Sequence, residues 1–283
     1  MSLLSVVWDV NPVMVELGPL QIRYYGLLFA MGFLIGYFIV KHFFVYENAP
    51  LKEIDKMSMY IIVGAVIGAR LGHCLFYEPE VYLKDPIQIL FIWKGGLASH
   101  GGAVGLLIGL WLYSRKSWNK SMLHVLDRIA IPTALAASFI RLGNLFNSEI
   151  YGHETDLPWG FIYVREGNTA PHHPTQIYEA LSYLLIFIFL FILYKRYKGI
   201  INRGLIAGWL ATLIFVQRFF VEFLKNDQVD FESDMLLNMG QILSIPFIIA
   251  GIVLIIRSKK LGPAPRPEFK KSEEKKADKK EES

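Results

Sequence analysis

The stretch Phe139–Gly152, FIRLGNLFNSEIYG, decides how this chain is to be read. It ends a long apolar run suited to a bilayer and sets Arg141, Asn144, Asn147 and Glu149 at its close. A charge in hydrocarbon costs roughly 3 kcal/mol on insertion scales, so an intramembrane arginine asks for a function. Gly143 and Gly152 bracket the cluster and suit close backbone approach and a non-helical exit. The plainer alternative is an interfacial helix end with a snorkelling arginine and an asparagine cap.

Working outward, composition sets the class. With 53% hydrophobic and 19% charged residues among 283, and a mean hydropathy of +0.37, the chain is too apolar for an ordinary soluble domain. It reads as an all-α, multi-pass membrane protein. The net charge of +4 is carried by short basic clusters between apolar runs. That is how topology is encoded, and no nucleic-acid partner is expected. Cys74, the only cysteine, lies in an apolar run, which leaves no disulfide framework and no metal cluster. The opening MSLLSVVWDVNP has no basic n-region and carries Asp9 and Pro12, so it is not read as a cleaved signal peptide.

Seven spans are predicted, at about 20–46, 57–77, 97–113, 126–145, 175–194, 204–223 and 239–256. Residues 1–18 read as a segment lying on the membrane surface. The second span is rich in small residues, Gly64, Ala65, Gly68, Ala69 and Gly72, which suits tight helix packing. The connection from the fourth span to His173 exceeds the usual ~12–15 residues of a structureless loop, which marks it as functional. An acidic loop with Asp227, Asp230, Glu232 and Asp234 precedes the seventh span. No internal repeat or second domain is evident; residues 1–257 form one membrane domain and the Lys/Glu-rich 258–283 a disordered tail.

Lys and Arg are enriched in the loops after spans one, three, five and seven. The positive-inside rule then places the N-terminus outside and the C-terminus in the cytoplasm. In those directions Arg23, Tyr25, Arg70, His100, Arg141, Asn144, Arg218 and Glu222 share the outer half of the membrane. Scattered snorkelling would populate both interfaces, so the asymmetry points to a polar cavity open to the outer leaflet. Arg70, Arg141 and Arg218 outnumber Glu149 and Glu222, and the guanidinium fork matches phosphate oxygens. An anionic ligand is expected. Arg218 with Glu222 also reads as an i,i+4 ion pair. His100 beside Gly101-Gly102 suits a general base, with an unperturbed pKa near ~6.5, although a packed, hydrogen-bonded histidine is the commoner case. His172-His173-Pro174 with Gln176 lacks an HExxH-like spacing and is not read as a zinc site. Asp127 and Arg128 read as topological charges.

Several motifs, in order, resemble the bacterial prolipoprotein diacylglyceryl transferases. They are Tyr25-Gly26, His100-Gly101-Gly102-x-x-Gly105, Arg141-x-Gly143-Asn144-x-x-Asn147-x-Glu149-x-x-Gly152, His173-Pro174-x-Gln176-x-Tyr178-Glu179, Arg218-x-x-x-Glu222-Phe223 and Met239-Gly240-Gln241-Ile242-Leu243-Ser244. The match covers nearly all of the chain up to about Arg257. Ile214 is one departure, because some members carry a tyrosine one turn before the arginine.

The resemblance implies seven spans in the inner membrane and transfer of diacylglyceryl from phosphatidylglycerol to the lipobox cysteine of preprolipoproteins. Glycerol phosphate leaves and a thioether forms, with no cofactor and no metal. It implies that Arg141 contacts the lipid headgroup, that Arg218 is required and that His100 is the candidate base. Tyr25, Arg70, Gly102, Asn144, Asn147, Glu149, Gly152 and Glu222 complete the expected substrate-binding set. Displacing a phosphate ester by a thiolate needs a thiol base and cations for the departing phosphate. Cys74 is not the nucleophile, because the attacking sulfur arrives on the substrate. A transporter or binding protein for an anionic lipid would also cluster arginines, but a transporter would be expected to show inverted repeats, which are not seen.

Overall fold

The computed structural model describes residues 5–18, 20–117, 120–226 and 236–264. The acidic loop 227–234 and the charged tail beyond 264 lie outside the described residues. The helices are α1 (Tyr24–Tyr46), α2 (Lys52–Phe76), α3 (Pro79–Lys84), α4 (Ser99–Lys116), α5 (Met122–Phe146), α6 (Thr175–Arg196), α7 (Leu205–Val221) and α8 (Met239–Leu261). Four short strands join them: β1 (Val6–Trp8), β2 (Val13–Leu17), β3 (Leu20–Arg23) and β4 (Phe161–Tyr163). Six helices, α1, α2, α5, α6, α7 with the 3-10 turn that carries it to Leu224, and α8, are long and apolar enough to cross a membrane. The chain is a multi-pass membrane protein.

The expected third span is α4, which stands apart from those six. Its 18 residues reach about 27 Å at 1.5 Å per residue, a little short of a hydrocarbon core. Its first turn is Ser-His-Gly-Gly and its last carries Arg115 and Lys116. The apolar part is therefore shorter than the helix.

The chain divides into two compact units. The first takes the described residues within Met1–Val40 and Ser121–Gly262. Here the residues of the expected surface segment find backbone partners: β1 runs parallel to β4, and β2 pairs antiparallel with β3 just ahead of α1. The indole of Trp8 donates to the Leu145 carbonyl at 3.0 Å, and Tyr24 stacks on Phe146, so the start of α1 lies against the end of α5. Gly32 and Gly36 of α1 pack on Ala136 and Pro132 of α5, and Gly208 of α7 on Gly251 of α8, at spacings that suit small residues between membrane helices.

The opposite end of this unit corrects the expectation for Asp127 and Arg128. Both are buried. The Asp127 carboxylate accepts the backbone N–H groups of Gly204 at 2.7 Å and Ala207 at 2.9 Å, and so caps the start of α7 from α5. Arg128 donates to the carbonyls of His124 and Gly199. These side chains join helices. At α8 the cap is local: Asn238 and Gln241 exchange hydrogen bonds in a capping box.

The second unit takes the described residues within Lys41–Lys120. Gly64, Gly68 and Gly72 of α2 face Gly101, Gly105 and Gly109 of α4 so closely that a Cβ at any of them would meet backbone across the seam. A cavity of about 1030 Å³ lies along the two helices, lined mainly by apolar side chains, with His100 among its lining residues.

Candidate active site

In the first unit, helix ends bring the charged residues together. Arg141 stands one turn before the end of α5, Glu179 one turn into α6 and Arg218 in the last turn of α7. Glu222 begins a single 3-10 turn that follows α7. The Arg141 Nε lies 3.0 Å from Glu179 Oε2, the Lys225 Nζ lies 3.1 Å from Glu179 Oε1 and 3.4 Å from Glu222 Oε2, and Arg218 Nε lies 4.0 Å from Glu222 Oε2. The side chains of Glu179, Lys225 and Glu222 are 0%, 4% and 6% exposed, whereas that of Arg218 is 39% exposed. A buried line of alternating charges thus links the two arginines.

The opening stretch supplies the polar rim. An Arg141 Nη donates to Asn144 Oδ1 at 3.3 Å, and the Asn144 and Asn147 amides donate to Glu149 Oε1 at 2.7 and 3.2 Å. With Glu179 Oε2 in ion-pair contact at Nε and Asn144 accepting from one Nη, the guanidinium is tied to both α6 and the end of α5. Tyr25 belongs here too, because its ring lies over Gly143: a Cβ at 143 would come within 2.7 Å of Tyr25 Cδ2.

The non-helical exit does not use glycine, contrary to the expectation from Gly143 and Gly152. The left-handed residues are Ser148 (φ 55°) and Ile150 (φ 61°). For a β-branched residue this conformation costs roughly 1–2 kcal/mol, and α6 holds it in place. Thr175 Oγ1 donates to the Ile150 carbonyl and Gln176 Nε2 to the Glu149 carbonyl, both at 2.7 Å. Tyr163 in turn donates to Gln176 Oε1 at 3.0 Å, which turns the amide so that its NH₂ meets Glu149. Burial pushes the Tyr163 phenol well above its usual pKa, so it stays a donor at neutral pH. Gly152 has a different task. A Cβ there would meet the Leu224 carbonyl, and the Gly152 carbonyl accepts His172 Nδ1 at 2.8 Å. The neighbouring His173 has its pKa lowered by burial and by His153 and His172 beside it, which favours neutral imidazole.

Arg70, His100 and Gly102 belong to the second unit. Arg70 is expected from sequence among the cations facing a ligand, and the structure gives it another task. Its guanidinium donates to the carbonyls of Gln88, Ile89, Gly95 and Gly96 and lies over the Tyr82 ring. A buried arginine with four carbonyl acceptors clamps the loop between α3 and α4. A Cβ at Gly102 would meet Ala69 at ordinary contact distance, and the side chain of His100, exposed in the first turn of α4, makes no hydrogen bond or ion pair among the described residues.

The family model of prolipoprotein diacylglyceryl transferase matches residues 12–257. The chain belongs to the prolipoprotein diacylglyceryl transferase family. Curated relatives named phosphatidylglycerol–prolipoprotein diacylglyceryl transferase include that of Tolumonas auensis, 47% identical over 89% of this chain and 97% of the relative. That of Chloroherpeton thalassium is 48% identical over 90% of this chain and 95% of its own length. That of Porphyromonas gingivalis is 48% identical over the same shares.

Within this diacylglyceryl transferase, two members of the buried network escape a reading of span ends. Glu179 enters from sequence only as a letter of a family motif, and Lys225 not at all. A lone carboxylate one turn inside an apolar helix was the available signal for Glu179. Lys225, just past a span end, looks like any snorkelling lysine.

Proposed function

We propose that this chain transfers the diacylglyceryl group of phosphatidylglycerol to the lipobox cysteine thiol of preprolipoproteins. The observation that carries this reading is the buried line from Arg141 through Glu179, Lys225 and Glu222 to Arg218. Two arginines held by carboxylates are preorganised cations, suited to a phosphate that gains charge as its ester bond breaks. His100 takes the thiol proton, and the sulfur attacks the glycerol carbon that bears the phosphate ester. The C–O bond breaks as the S–C bond forms, and the electron pair leaves on glycerol phosphate beside Arg141 and Arg218. Asn144, Asn147 and Glu149 take the hydroxyls of the headgroup glycerol, with Tyr25, Gly152 and Glu222 shaping the same end of the bundle and Gly102 lying beside His100. Arg70 is left out of this set because its donors are already engaged.

Phosphatidylethanolamine would bring an ammonium into a site lined by arginines, and like-charge placement disfavours it. Transfer from phosphatidylglycerol but not from phosphatidylethanolamine, undiminished by EDTA, is the expected result. Mass spectrometry of a lipobox peptide after incubation with purified protein and each lipid reads it directly. Equal transfer from both lipids, or abolition by the chelator, would overturn the reading.

We place the protein in the bacterial inner membrane, with the N-terminus outside, the C-terminus in the cytoplasm and the Arg141 network toward the outer leaflet. The basic end of α6 supports this orientation, since Lys195 and Arg196 lie in its last turn and Lys198 just beyond it, at the end opposite Glu179. A cysteine in place of Lys198 should resist a membrane-impermeant thiol reagent in intact cells and react after permeabilisation. Labelling before permeabilisation would invert the topology.

A further inference from the structure

Lys225 lies at the centre of the buried network, yet none of the chemistry above uses it. We infer that Lys225 is a positioning residue that leaves the Arg141 and Arg218 cluster with a net positive charge toward the lipid phosphate by taking up charge from the two carboxylates between them. The inference rests on the transferase reading and adds a determinant of lipid affinity to it.

Glu179 and Glu222 are buried carboxylates, and each faces one arginine. A buried carboxylate without a cation is costly, so each keeps an arginine within ion-pair distance. With no further cation, two arginines and two glutamates would neutralise one another, and little field would remain for a ligand. Lys225 changes that balance. Its Nζ meets Glu179 on the oxygen that Arg141 does not face and shares Glu222 Oε2 with Arg218. Among the described residues of this network, three cations then stand against two buried carboxylates, and one positive charge is left over. Arg218, half-exposed and 4.0 Å from Glu222, is the least neutralised of the three. Glu149 does not cancel the surplus, because it is exposed and its contacts are the amides of Asn144 and Asn147.

Backbone geometry explains how a lysine comes to sit there. His153 N donates to the Leu224 carbonyl at 2.9 Å, and Lys225 pairs in antiparallel fashion with Gly152. Only a residue without a Cβ lets the two segments approach this closely. The glycine at 152 thereby fixes where the lysine backbone lies, and the side chain reaches back to α6 and to the turn after α7.

The test uses the full chain in detergent micelles, a lipobox peptide and a short-chain phosphatidylglycerol. Lys225→Gln should raise the KM for the lipid about tenfold with a smaller change in kcat, as expected for one lost unit charge near the phosphate. Lys225→Arg should retain the wild-type KM. The double variant Lys225→Gln/Glu179→Gln restores the single surplus charge and should bring the KM back towards wild type, even where kcat stays low because Arg141 has lost its partner. A purely structural role predicts the reverse, since the double variant removes two buried partners. A wild-type KM in Lys225→Gln, or a double variant no better than the single one, overturns the inference. Where the single variant fails to fold, the double variant decides by its KM: a value near wild type supports the inference, and a rise of about tenfold overturns it. If the wild type forms no thioether, the transferase reading fails by itself. Equilibrium binding of the anionic lipid against a zwitterionic one then decides for Lys225: weakened binding in Lys225→Gln supports it, and wild-type binding overturns it.

Discussion

Replacing Arg141 with lysine is expected to lower turnover by at least about 100-fold while leaving the fold intact, the scale seen when one preorganised donor to a developing anion is lost. Lysine keeps the charge but not the fork. In the native protein Nε faces Glu179 and an Nη faces Asn144 Oδ1, so the guanidinium meets these two groups with two different edges. A single ammonium on a flexible stem cannot hold both and also present donors to a phosphate. The change also reaches the rim, because Asn144 orients Glu149 through its own amide. Turnover of a lipobox peptide by purified Arg141→Lys, with monodispersity and helical content compared to wild type, measures this. Near-native turnover would mean that charge alone suffices.

The spans were legible because hydropathy over twenty residues is a strong signal. The predicted 175–194 and 239–256 correspond to α6 and α8, each of which begins at the expected residue and runs on by a few. The overrun at α8, to Leu261, comes from Ser258, Lys259 and Lys260, residues polar enough to leave the membrane but good enough helix formers to continue the helix. The shared placement of Arg141, Asn144, Arg218 and Glu222 at one end of the first unit also followed from sequence, because alternating span direction turns positions in the chain into depths. What did not follow depends on partners distant in the chain. Nothing in Val6–Trp8 announces a parallel partner at Phe161–Tyr163. Arg70 is the clearest instance. An intramembrane arginine calls for acceptors, and depth alone does not separate a phosphate from four carbonyls of a nearby loop. Ile150 misleads in the same way, because the left-handed turn expected of a glycine is imposed on a branched residue by Thr175 and Gln176 twenty-five residues on.

His100→Gln is expected to reduce turnover at saturating lipid by about 100-fold or more, the usual worth of a general base, with little change in the KM for the lipid. The alternative for a lone histidine, a packed and hydrogen-bonded ring, finds no support at this position. His100 is exposed at the second residue of α4, lines the apolar cavity and has no hydrogen-bond partner among the described residues. Glutamine there keeps size and helix propensity and removes only the ability to take a proton. The pH dependence separates a base from any other role. A free thiol has a pKa of about 8.5, so at pH 7 only a few per cent is thiolate and the enzyme must remove the proton, whereas by pH 9 most of the substrate has already lost it. The deficit of His100→Gln relative to wild type should therefore shrink as pH rises from 7 to 9. A deficit that stays constant across that range would mean His100 does not act on the thiol proton, and a raised lipid KM with normal kcat would make it a lipid contact.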